Sequence, residues 1–146
     1  MRTHTKTATV LAAAALIGAA ALSAAPAASA TDSGGDGNPA TDCPGGYTVA
    51  STSIHDYNGA VVGLVEMRWS AACSGNWTRV TSYIGSYHLE AEIGEGADYT
   101  PSAIANDTAT QNFTPYLRVS PSQYMCSLGT IAVTNDIQYT AQICSN

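Results

Sequence analysis

Apolar and polar residues alternate along GLVEMRWS, residues 63–70. Gly63, Val65, Met67 and Trp69 fall on one face, and Leu64, Glu66, Arg68 and Ser70 on the other. Period two with a polar partner face predicts a half-buried antiparallel strand. YHLEAEI, residues 87–93, repeats the pattern, with Tyr87, Leu89, Ala91 and Ile93 inward and His88, Glu90 and Glu92 outward. Shorter strands are expected over 47–54, 77–84, 116–120, 128–134 and 137–143. They are separated by turn residues at Tyr57-Asn58-Gly59, Ser74-Gly75-Asn76, Gly85 and Asn135-Asp136. No convincing helical stripe with caps interrupts them. The expected fold is an all-β, small disulfide-stapled antiparallel sandwich or barrel of about seven strands.

The stretch EMRWSAACSGNWTRV, residues 66–80, reads as a hairpin. Ser74-Gly75-Asn76 tolerate the positive φ of a reversal, and Cys73 sits where a disulfide would pin it. Trp69 belongs to the inward face, whereas the register of Trp77 is ambiguous. Arg68 and Arg79 are placed on the solvent face. Residues 94–113, GEGADYTPSAIANDTATQNF, lack clear periodicity and are expected to form a long loop, the place for a mobile flap.

The ends change the picture. Arg2, His4 and Lys6 precede an Ala/Leu-rich run that closes on Ala28-Ser29-Ala30, a small-x-small cleavage pattern. Residues 1–30 are therefore expected to be a signal peptide, and the protein to be secreted. Residues 31–42, TDSGGDGNPATD, hold no large apolar side chain, so a flexible N-terminal segment is expected, either a spacer or a tether that docks on a partner. A single β domain is expected over 43–146.

Beyond residue 30 the chain keeps three arginines, no lysine and all eleven acidic residues, a formal charge of −8. That sign disfavours nucleic acid and membrane surfaces as partners. Cys43, Cys73, Cys126 and Cys144 make an even set in an exported chain, without C-x-x-C spacing, which points to two disulfides rather than zinc. Of the three possible connectivities, Cys43–Cys73 with Cys126–Cys144 is favoured, because each bridge would staple a strand to its neighbour.

A cysteine followed by YTVAST, then GLVEMRWSAACSGNWTRV, then FTPYLRVSPSQYMCSLGTI, resembles the YjfA-like proteins, a secreted domain family of bacilli and actinomycetes. The likeness runs over about residues 43 to 132. It implies export, a compact β-rich domain and paired cysteines, and carries over no catalytic residue.

Candidate chemistry is sparse. His55 lies beside Asp56, but adjacent strand residues point to opposite faces and form no dyad. Glu90 and Glu92 share one strand face, at a spacing that overlaps the carboxylate separations of glycosidases, although those usually line a cleft from different elements. With Glu95 and Asp98 they would also suit calcium, yet no D-x-D-x-D-G loop is present. Aromatic residues are the better lead. Tyr57, Tyr99, Tyr116 and Tyr124 would make a face for a sugar ring or a protein loop, with Arg68 and Arg79 as further candidate binding residues. The expected function is a non-catalytic binding or adaptor module without cofactor or metal. Its partner would be another secreted protein or a neutral polymer. A hydrolase inhibitor and a small hydrolase of cell-wall or glycan polymers, working through Glu90 and Glu92, are the alternatives.

Overall fold

The computed structural model describes residues 32–96 and 100–145. Ten strands and one helical turn follow in chain order: β1 (Ser33–Gly34), α1 (Pro39–Asp42), β2 (Tyr47–His55), β3 (Val61–Ser70), β4 (Gly75–Ser82), β5 (Tyr87–Glu95), β6 (Thr100–Ala109), β7 (Gln111–Phe113), β8 (Leu117–Arg118), β9 (Met125–Ala132) and β10 (Gln138–Ser145). They form two antiparallel sheets. One runs β1-β6-β5-β9-β10; the other runs β2-β3-β4-β7, with β8 also on β4. The disulfide-stapled all-β sandwich is thus what the alternating pattern dictates.

Each inward face follows from period two. Val65 of β3, Val80 of β4, Leu89 and Ala91 of β5 and Ile131 of β9 meet with Ile54 in a fully buried cluster. Met67, Ile93, Ala103 and Met125 extend it toward the other end. Burying each large aliphatic side chain contributes about 1.5–3 kcal/mol. The buried Thr78 hydroxyl is satisfied in this layer, 2.6 Å from both the Glu92 carbonyl and Ser127 Oγ.

Residues 94–113 differ from expectation. Most of this stretch is strand, because β6 pairs with β5 through Tyr87↔Ala109 to Glu95↔Thr100. Its inward positions are the small residues Ala103 and Ala105, while Ile104 lies on the outward face. Small residues inside and an aliphatic outside hide the alternation. The strand expected over 116–120 shrinks to the two-residue β8, since Tyr116 and Thr114 are committed elsewhere.

Residues 32–42 also depart from the expected flexible segment. They form a strap that joins both sheets. Ser33 and Gly34 pair with Ile104 and Ala103 of β6, and Gly37 bridges Tyr116. The Asp36 N–H donates to the Tyr116 carbonyl at 2.8 Å, and Asp36 Oδ2 accepts the Arg118 N–H at 2.7 Å. Asn38 caps α1, its Oδ1 accepting from the Ala40 N–H, and Pro39 starts the turn. Gly34 has φ +74°, and a Cβ there would overlap the Ser102 carbonyl. Backbone partners and glycine conformations supply the order that missing apolar side chains cannot.

Both disulfides close in the local pairing, Cys43–Cys73 with Cα atoms 5.1 Å apart and Cys126–Cys144 at 4.1 Å. Closed bridges point to an oxidising compartment. Among the described residues no helix is long and apolar enough to cross a membrane. The expected signal peptide, residues 1–30, lies outside the described residues.

Candidate functional site

The antiparallel register puts Tyr57 and Tyr124 at opposite ends of the sandwich. One end carries the β2–β3, β4–β5 and β9–β10 connections; the other carries the β3–β4 turn, residues 119–124 and both disulfides. The expected tyrosine face is therefore not assembled. Tyr116 is a further correction: it is only 2 % exposed, packed with Cys43, Cys73 and Trp77 beneath the strap. Its hydroxyl accepts from Arg118 Nη2 at 3.3 Å. Tyr124 is exposed but separate, its carbonyl accepting the Gly96 N–H. Tyr99 lies outside the described residues.

At the loop end, Tyr57 stands 75 % exposed, edge-on to Tyr139, with its hydroxyl 3.3 Å from the Gln138 carbonyl of the other sheet. Val61, Tyr83, Ile84 and Ile137 are exposed on the same loops or the strand ends beside them. Sequence reading missed these four because each sits singly at a strand end or turn, where no periodicity marks it.

The turns that hold them are tied internally. Asp56 Oδ1 accepts the Asn58 and Ala60 N–H groups at 2.9 and 2.8 Å. These backbone donors, the Ala60 N–H foremost, hold the Asp56 carboxyl below its usual range. His55 Nδ1 lies 3.0 Å from the Gly59 carbonyl, the part of a turn residue. Thr134 Oγ1 accepts from the Asp136 and Ile137 N–H groups.

A second candidate lies on the outer face of the β2-β3-β4-β7 sheet. Glu66 pairs across with Arg79, and Arg68 with Trp77. Arg79 donates from Nε and Nη2 to the two Glu66 carboxylate oxygens at 2.6 and 2.8 Å. Thr48 Oγ1 donates to Glu66 Oε1 and accepts from Arg68 Nη1, whose Nη2 reaches the Gly46 carbonyl at 2.6 Å. Arg68 and Arg79 do leave the core face, as expected, and are half-buried there, Arg68 tied to Thr48 and to the Gly46 carbonyl. Glu66 lies between them, buried at 7 % exposure. Burial would raise its carboxyl, but the Arg79 and Thr48 hydrogen bonds and the two guanidinium charges together hold it below the usual range.

The register of Trp77 is settled here: it faces away from the inter-sheet core, with the Arg68 guanidinium 5.8 Å from its ring centroid. Ser74 takes the positive φ of the hairpin, at 50°, rather than Gly75. Gly75 is needed for another reason, since a Cβ there would stand 2.6 Å from the Tyr116 ring.

Glu90 and Glu92 face outward on β5. The Glu92 hydrogen bond, burial and the Glu92 charge push Glu90 up to about 7. Cavities are lined by other residues: one of about 270 Å³ by Arg68, Trp77, Arg79 and Phe113 among others, one of about 160 Å³ by Tyr47, Trp69 and Pro121 among others, and one of about 280 Å³ beneath the strap. Among the described residues no group of three or more His, Cys, Asp or Glu side chains converges as a metal site. No family model, curated protein or solved structure matches the chain.

Proposed function

We propose that the protein is a secreted, non-catalytic binding or adaptor module that docks another secreted protein through its loop end. The observation that carries this reading is the gathering of Tyr57, Val61, Tyr83, Ile84 and Ile137, all exposed, on loops and strand ends contributed by both sheets. Contiguous exposed apolar surface marks interaction sites, and tyrosine gives large contact area at low entropic cost. The internal hydrogen bonds of the turns lower the ordering cost of binding. Export through residues 1–30 and the resemblance to YjfA-like proteins are consistent with this role.

The glycan-hydrolase alternative draws on Glu90, whose carboxyl is pushed up to about 7, toward the range of a general acid. Its partner carboxylate, however, is two residues along the same strand rather than across a cleft, so the binding reading is preferred. A photo-crosslinking residue at position 84, exposed to culture supernatant of the producing organism, should capture one protein. Tyr57→Ser with Tyr83→Ser should abolish capture. Equal capture from a crosslinker at position 90, on the other face, would refute the loop-end assignment.

A further inference from the structure

The outer face of the β2-β3-β4-β7 sheet holds two of the three arginines found beyond residue 30, on adjacent strands, in a chain that is otherwise acidic. Between them lies one carboxylate, Glu66, and both its oxygens are already engaged. One anion against two guanidiniums leaves a surplus positive charge in a half-buried place.

We propose that this groove is a binding site for a carboxylate carried on a small planar apolar body. Arg79 spends Nε and Nη2 on Glu66, so its Nη1 edge is not committed to that pair. Arg68 lines the cavity, and its Nε has no hydrogen-bond acceptor. Burial and the neighbouring Arg79 charge both disfavour the Arg68 cation, and an incoming anion would relieve the repulsion.

The rest of the lining selects the body of the ligand. Trp77 and Phe113 offer ring surface, Pro39 and Ala40 of α1 make one wall, and Gln111 supplies an amide at the rim. The cavity of about 270 Å³ has room for a ligand the size of an aromatic amino acid. A single surplus charge beside forked planar donors suits a carboxylate better than a phosphate dianion. Glu66 is a positioning residue: it fixes the Arg79 fork and would not touch the ligand.

The carboxylate would come either from a free aryl-alkyl acid or from the C-terminus of a polypeptide ending in an aromatic residue. These sources are separated by titrating the ¹⁵N-labelled mature chain with 3-phenylpropionate and with N-acetylphenylalanine, each beside its primary amide. The Trp77 indole N–H should move with one or both acids, while Trp69, on the other face of the sheet, should not. Each amide should bind at least about tenfold more weakly, because the charge is lost. Ala40→Glu places a competing carboxylate at the exposed rim without disturbing Glu66 and should weaken the acid about tenfold or more, whereas Ala40→Gln should not. Binding by the phenylpropionate alone identifies a free acid, and by the acetylated amino acid alone a polypeptide C-terminus. Equal binding of acid and amide, indifference to Ala40→Glu, or no Trp77 response at about 10 mM of either acid would overturn the proposal.

Discussion

At one end of the sandwich, both disulfides and the buried Trp69 hold the strand termini together. At the other end, connecting loops leave Tyr57, Tyr83 and Ile84 exposed, held by turn hydrogen bonds and, for Tyr57, by the Tyr139 ring and the Gln138 carbonyl. A domain of this size buries a modest core, so covalent crosslinks make up a large share of its stability. Concentrating them at one end frees the opposite end from packing duty, and its apolar residues become available for recognition. The division between a stapled end and a presenting end follows from where cysteines and exposed aromatics fall along antiparallel strands.

The sharpest test of that division compares two aromatic deletions. Trp69→Ala should lower unfolding free energy by about 3–5 kcal/mol, because it opens a cavity at the stapled end. Tyr83→Ala, at the presenting end, should stay within about 0.5 kcal/mol. Similar losses in urea melts would erase the distinction.

Replacing Cys43 and Cys73 together by serine should cost about 3–4 kcal/mol, and the Cys126/Cys144 pair slightly less because its loop is shorter. Hydrogen exchange should show the loss spreading from the stapled end. Uniform loss across both ends would mean that the sandwich opens as one unit.

Arg79→Ala should cost about 2–3 kcal/mol at neutral pH, since the buried Glu66 carboxylate loses both guanidinium hydrogen bonds and keeps only Thr48 and the more distant Arg68. The Glu66 carboxyl is held low in the fold, so its contribution is present above the unfolded value of 4.5 and lost as pH falls through the lower folded value. Acid titration of the variant should therefore lack that step, and an unchanged acid limb would remove Glu66 from the account.

The smallest effect is at Glu90, raised from 4.5 to about 7. A raised carboxyl stabilises the fold below the unfolded value, and that contribution is lost as pH rises toward the folded one. Glu90→Gln should be neutral at about pH 4 and stabilising by about 1 kcal/mol at about pH 8, after allowance for solvent screening. Chemical melts at the two pH values decide it.

Much of the fold was legible because β3 and β5 alternate cleanly and because local cysteine pairing suits neighbouring strands. β6 was not, since Ala103 and Ala105 fill the inward positions and give no hydrophobic signal. The strap over 32–42 was hidden for a different reason. Its order comes from backbone bonds to Tyr116 and β6 and from glycine conformations, which composition cannot reveal. Arg68 and Arg79 were rightly set off the core face, but their bonding with Glu66, Thr48 and Gly46 depends on strand register, which the alternation alone does not give. Among the tyrosines, a buried Tyr116 and an exposed Tyr57 look alike in sequence, each standing beside turn residues.

The strap also bears on how molecules of this protein behave toward one another. β6 lies second from the margin of its sheet, and Ser33–Gly34 cover only Ala103 and Ile104 of its ten residues. A bare strand margin is a template for adding further strands from other chains. By occupying the middle of β6 with its own backbone, the chain breaks that margin into pieces too short for continuous pairing. A proteolytic nick near Gly35–Gly37 should therefore make the protein scatter light sooner on storage than the intact chain, and equal clarity of the two would remove the strap from this role.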